Sequence, residues 1–262
     1  MKTVKLRNAT LNVADVGSGP ILLLVHGFPL DHSMWRHQLD ALSDTCRVIA
    51  PDLRGFGASS GAIETMTMEQ FADDMAELLD ELGIREPIAF CGLSMGGYVA
   101  WQFWQRHASR LSQLILCDTR AIADTEEVAR GRLVMAQRVL REGATIIAEA
   151  MLSKLFAEKT AREQPSTLET TRQVMLATAP QAVAGALRGM AQRPDMTSEL
   201  PHIDVPTLVI CGAHDAIVPV AEMKALAEAL PKATFVEVPG TGHMAPLEDP
   251  QTVNAAIRNF LA

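Results

Sequence analysis

The chain has 262 residues, 48% of them apolar and 21% charged, with a formal net charge of −8. A chain of this size buries roughly 70% of its unfolded surface, and its high apolar content excludes a disordered chain. The acidic balance, without a Lys/Arg cluster, argues against nucleic acid or an anionic membrane as partner. Met1 to Val13 alternates charged and apolar residues, so no signal-peptide segment is read there, and the expected location is cytoplasmic. The longest apolar run nearby, Ile21 to Val25, is too short to span a bilayer.

Strands are predicted around Thr3 to Leu6 and Leu11 to Val16, followed by a turn at Gly17-Ser18-Gly19-Pro20. Ile21 to Val25 is continuously apolar, as a strand covered on both faces requires. Similar runs recur at Arg47 to Ala50, Ile88 to Cys91, Leu114 to Cys117, Thr207 to Cys211 and Thr234 to Val238. Between them, the spacing predicts helices over Met68 to Leu82, with Thr67 and Gln70 at capping-box spacing, and over Ser94 to His107 and Val220 to Leu230. A last helix is expected from Asp249 and Pro250 to Leu261. From about Arg120 to Leu200 only helix signals occur, including Ser166 and Glu169 at capping-box spacing and a helix from Pro180 through Arg193. The expected architecture is α/β, a mostly parallel sheet with helices on both faces. A core domain would comprise residues 1–119 and 201–262, and a helical cap would be inserted over 120–200.

Cys46, Cys91, Cys117 and Cys211 form no CxxC pair and lie in or beside strand-like runs, so they are read as buried packing thiols. No histidine spacing suggests a metal, and His32, His37, His107 and His202 are expected at the surface.

Gly92-Leu93-Ser94-Met95-Gly96 follows a strand and opens a helix. GxSxG alone is a weak signal, arising by chance in roughly one chain in ten of this length. The strand-to-helix context strengthens it, because a serine on a sharp turn is presented above the sheet. A serine nucleophile needs a base, and the base needs an acid to set its tautomer. Asp215 follows the strand ending at Cys211, and His243 follows the next strand on a glycine-rich loop. Each stands past the C-terminal end of a strand, where open α/β sheets build their sites. Asp118, after the sixth strand, is the alternative acid. His26-Gly27-Phe28-Pro29 follows Ile21 to Val25, where an oxyanion loop is expected, with His26 read as holding that loop.

The stretches HGFPLDHSMW, PDLRGFGAS, GLSMGG, GAHDAIVP and GTGHMAPLEDP resemble the α/β-hydrolase superfamily. Within it, the chain is most similar to the branch of cofactor-free haloperoxidases, carboxylesterases and 3-oxoadipate enol-lactonases. The resemblance implies an eight-stranded sheet, a helical cap between strands 6 and 7, and no cofactor. It suggests Ser94 as nucleophile, Asp215 as acid, His243 as base, and the backbone N–H groups of Phe28 and Met95 as the oxyanion hole. Pro29, Arg120, Ile217, Val218 and Met244 are the candidate substrate contacts. Arg120 would serve as a carboxylate anchor for an anionic lactone, or else lie on a solvated surface. In haloperoxidase-like relatives, a proline in the position of Pro29 is associated with perhydrolysis through a carbonyl that can contact peroxide. Glu248 is expected in the loop before the last helix.

The reading is a serine hydrolase cleaving small carboxylic esters or lactones, with a perhydrolase side activity left open. 3-Oxoadipate enol-lactonase, a meta-cleavage C–C bond hydrolase, an acyltransferase and a ligand receptor on a hydrolase fold remain alternatives.

Overall fold

A computed structural model describes all 262 residues. Eight strands form one sheet: β1 (Lys2–Lys5), β2 (Thr10–Gly17), β3 (Ile21–Val25), β4 (Arg47–Pro51), β5 (Ile88–Leu93), β6 (Leu111–Cys117), β7 (Thr207–Gly212) and β8 (Ala233–Val238). Their spatial order is β1-β2-β4-β3-β5-β6-β7-β8. β1 and β2 pair antiparallel and β2 pairs antiparallel with β4, while every pairing from β4 to β8 is parallel. The expected α/β sheet is therefore present, mostly parallel, with its strand order reversing at β3 and β4.

The continuous apolar runs have the cause expected of them. In β3, Leu23 and Val25 join one apolar layer with Phe71, Phe90 and Phe103, whereas Leu22 and Leu24 join the opposite layer with Trp35, Leu42 and Ile257. Side chains alternate across a strand, so a sheet covered on both faces needs apolar residues at every position. Each fully buried leucine stabilises the fold by about 1.5–3 kcal/mol relative to exposure. All four cysteines are buried and free.

The helices are α1 (Arg36–Leu42), α2 (Met68–Glu81), α3 (Met95–His107), α4 (Glu126–Glu142), α5 (Thr145–Leu155), α6 (Glu158–Glu163), α7 (Pro165–Ala177), α8 (Pro180–Ala191), α9 (Val220–Ala229), α10 (Ala245–Glu248) and α11 (Pro250–Leu261). Thr67 caps α2 by accepting from the Gln70 N–H at 3.2 Å, and Asp249 caps α11 through the Thr252 N–H at 3.1 Å. Between β6 and β7 the chain builds α4 to α8 and no strand. Two expectations there are corrected. Ser166 caps nothing, because Pro165 takes the first helical position and Gln164 the cap, so α7 starts two residues earlier than a Ser166 cap requires. The helix from Pro180 ends at Ala191 rather than Arg193, whose guanidinium turns back to the Met190 and Ile122 carbonyls.

Candidate active site

β5 ends at Leu93, and α3 starts at Met95. Ser94 makes the corner alone, with φ +53° and ψ −111°, a region that residues with a Cβ rarely occupy. The surrounding backbone enforces this corner. The Ser94 N–H donates to the Cys117 carbonyl at 2.9 Å, and its own carbonyl accepts from Thr119 Oγ1 at 2.7 Å and the Gly97 N–H at 2.9 Å. The flanking glycines are obligatory: a Cβ on Gly92 would lie 2.3 Å from the Gly96 carbonyl, and one on Gly96 would lie 2.2 Å from the Val25 carbonyl oxygen. Ser94 is half-buried, while its neighbours from Cys91 to Gly97 are buried. Strain held this way is characteristic of functional sites.

The other two candidates meet. His243 Nδ1 lies 2.7 Å from Asp215 Oδ2, with side chains 2% and 0% exposed. Asp215 Oδ1 accepts from the Ile217 N–H at 2.7 Å and the Val218 N–H at 3.0 Å, so its carboxylate is aimed before it reaches the imidazole. With Nδ1–H donating to a carboxylate, the lone pair is left on Nε2, the tautomer a general base needs. The Ser94 hydroxyl makes no hydrogen bond to His243 in this structure; catalytic hydrogen bonds are often long in the absence of substrate.

Asp118 stands beside this pair. Its carboxyl, an Asp215 oxygen and a His243 ring nitrogen lie within 4.8 Å of one another. Asp118 Oδ1 accepts from the Gly212 N–H at 2.7 Å, while its buried Oδ2 has no partner. Burial, followed by the charge of Asp215, pushes the Asp118 carboxyl well above the carboxylate range.

His26 locks the loop after β3. Its Nδ1 lies 2.9 Å from the Gly27 carbonyl, and its Nε2 accepts from the Leu53 N–H at 2.9 Å, which sets a neutral tautomer. Burial lowers its pKa. The Phe28 N–H has no acceptor, and Met95 is the first residue of α3, where an N–H lacks an intrahelical partner. These are the two donors expected to face an oxyanion.

The remaining candidates fall elsewhere. Ile217 and Val218 act on Asp215 through their backbone. Met244 is completely buried in the layer with Leu155 and Leu247 and offers no surface to a ligand in this structure. Arg120 is not free as an anion anchor: its guanidinium lies 3.1 Å from Glu222 and donates to the Ile217 carbonyl at 2.8 Å. The Pro29 carbonyl lies 3.3 Å from Thr178 Oγ1, whose single proton has a nearer acceptor in the Val174 carbonyl at 3.1 Å. His32 is not a surface residue but half-buried, 2.6 Å from Asp52, and His107 pairs with Asp73 at 2.8 Å. His214 is exposed. Glu248 is not in a loop; it ends α10, is buried, and bonds to residues on both sides of His243. Sequence reasoning missed this role because α10 is a single turn without a pattern of its own.

A family model described as the alpha/beta hydrolase fold matches residues 20–250. 3-Oxoadipate enol-lactonase 2 of Acinetobacter baylyi is 30% identical over 257 residues, covering 97% of this chain and 94% of that protein. Among solved structures, a thermophilic esterase from Thermogutta terrifontis, malate bound, has a TM-score of 0.97 at 46% identity, covering 99% of this chain and 97% of that one. The enol-lactonase from Burkholderia xenovorans has a TM-score of 0.92 at 31% identity, covering 99% of both chains. These relatives fall in the branch that the motifs resemble. A strained serine after the central strand, an Asp–His pair beyond the next strands and a match across most of the sequence lead to one conclusion: the chain belongs to the alpha/beta hydrolase family.

Proposed function

We propose that the protein is a carboxylic ester hydrolase that cleaves small, uncharged esters or lactones through an acyl-enzyme on Ser94. The observation that carries this reading is the 2.7 Å bond between His243 Nδ1 and Asp215 Oδ2, past the ends of β7 and β8 in the sheet whose strand β5 ends just before Ser94, held at φ +53°.

Ser94 Oγ attacks the carbonyl carbon while His243 Nε2 takes its proton. The carbonyl electron pair moves onto oxygen, and the Phe28 and Met95 N–H groups stabilise that oxyanion; losing one such donor costs about 3–4 kcal/mol of barrier. Collapse breaks the bond to the alcohol oxygen, which takes the proton from His243 and leaves. A water molecule, deprotonated by His243, then attacks the acyl carbon and releases the acid and the Ser94 hydroxyl. Asp215 holds the imidazole and stabilises the imidazolium throughout.

The relatives named as enol-lactonases favour a lactone as the second substrate class, in which the alcohol stays tethered to the acyl group until water releases it. The Arg120–Glu222 pair weighs against an anionic lactone, since the guanidinium would have to leave its carboxylate partner. Residues 120–200 act as the cap over the site, and 1–119 with 201–262 form the catalytic core. No helix is long and apolar enough to cross a membrane.

The test combines p-nitrophenyl acetate turnover with mass spectrometry after treatment with a serine-directed phosphonate. The expected result is one phosphonate on Ser94 and no turnover above background in Ser94→Ala. Normal turnover by Ser94→Ala would overturn the proposal.

A further inference from the structure

Glu248 is a buried carboxylate, 7% exposed, whose hydrogen-bond partners are all neutral donors. Oε1 accepts from the Gly242 N–H at 2.8 Å and the Met244 N–H at 3.3 Å, the backbone donors of the residues on either side of His243. Oε2 accepts from the Ala157 N–H at 2.9 Å and from Thr160 Oγ1 at 2.5 Å, both in the segment between β6 and β7. A carboxylate has about four acceptor positions, and these donors use them all. Burying a carboxylate without a cation is costly, and burial raises the pKa of this one. A glutamine or a protonated acid offers fewer acceptor positions than a carboxylate, so these four donors favour the ionised form against the cost of its burial.

The held segments also touch directly. The Met244 N–H lies 3.1 Å from the Leu155 carbonyl, and Gln164 Nε2 donates to the Glu248 carbonyl at 3.3 Å. A Cβ on Gly242 would lie 2.7 Å from the Ala157 nitrogen, so only glycine permits this approach.

We propose that Glu248 is a positioning residue that ties the histidine loop to the α5–α6 junction, so that the orientation of His243 depends on how that junction is seated. This rests on the reading of His243 as the general base. Glu248 does not touch substrate; it acts by holding the backbone N–H groups of Gly242 and Met244, the residues on either side of the imidazole. Since misplacing a catalytic group by about 1 Å can cost on the order of a hundredfold in rate, the effect belongs in kcat.

The experiment compares Glu248→Gln and Thr160→Val with the unmodified protein. Active sites are titrated with the phosphonate, kcat and KM are measured with p-nitrophenyl acetate, and the low-field proton resonance of His243 Nδ1–H is recorded. For Glu248→Gln we expect kcat per titrated site to fall about 10- to 100-fold while KM moves less than about threefold, with the low-field resonance shifted or broadened. Thr160→Val should change in the same direction by a smaller factor, and it decides the matter if Glu248→Gln does not fold. A purely structural role would lower the number of titrated sites and leave kcat per site and the resonance unchanged; that result overturns the proposal. Failure of the base assignment itself would show separately, as activity in Ser94→Ala or His243→Ala.

Discussion

Asp118 and Asp215 place carboxyl oxygens within 4.8 Å of each other and of His243, yet only Asp215 hydrogen-bonds the imidazole. Their environments separate them. Asp215 accepts two backbone N–H groups and the ring nitrogen, whereas Asp118 accepts one N–H and is driven toward its neutral form by burial and by its neighbour's charge. A neutral Asp118 is mimicked by asparagine. Asp118→Asn should therefore keep kcat/KM within about tenfold, whereas Asp215→Asn should lose on the order of 10⁴ through the wrong imidazole tautomer. Steady-state ester kinetics on the two variants check this, and equal losses would reverse the assignment of the acid.

The loop after β4 contributes through a buried ion pair. Arg54 and Asp74 are bonded in fork geometry, with side chains 4% and 5% exposed. Burial pushes the Asp74 carboxyl up despite the guanidinium beside it. Arg54→Met should destabilise the fold by about 3–5 kcal/mol, because it leaves a buried charge unpaired. Arg54→Met combined with Asp74→Leu should recover most of that loss. Urea unfolding of the three proteins measures it; a double variant no more stable than the single would show that the packing of Arg54, not its charge, is what matters.

His26 makes stability depend on pH with a definite sign. Burial lowers its folded-state pKa below the ordinary 6.5, so the unfolded chain binds the extra proton first. Stability from the neutral ring is complete above about pH 6.5 and is lost as pH falls toward the folded value. Protonation would also turn Nε2 from acceptor into donor against the Leu53 N–H. His26→Gln should reduce the slope of unfolding free energy just below about pH 6.5 by up to about 1.4 kcal/mol per pH unit, the contribution of one proton. Chemical denaturation at a series of pH values tests this, and identical slopes would exclude His26 as the titrating group.

Strands β3 to β7 were legible because a sheet covered on both faces writes itself as apolar runs, whereas β1, β2 and β8 are only partly buried. The candidates Ser94, Asp215 and His243 were legible because each follows the end of a strand. Helix α1 was not predicted: it has only seven residues and no side-chain cap. Contacts between distant segments left no local pattern. Arg120 reads as a free cation until Glu222 is folded against it, and Glu248 reads as an ordinary acid until Gly242 and Ala157 converge on it. Both errors concern charged groups whose partners are distant in sequence, where periodicity and capping carry no information.

Ser94 links activity and stability in opposite directions. Its φ of +53° with ψ of −111° is open to glycine and costly for any residue with a Cβ, by about 1–3 kcal/mol. The hydrogen bonds that impose this corner run through backbone atoms of Ser94, so they survive replacement of its side chain. Ser94→Ala keeps the strain and should match the unmodified protein in stability, whereas Ser94→Gly relieves it and should be more stable by about 1–2 kcal/mol, less a few tenths for the flexibility that glycine adds to the unfolded chain. Both should be inactive toward p-nitrophenyl esters. Thermal and urea unfolding of the pair provide the measurement. If glycine is no more stable than alanine, the corner stores no strain; if it is, the fold gives up that stability to present a nucleophile above the sheet.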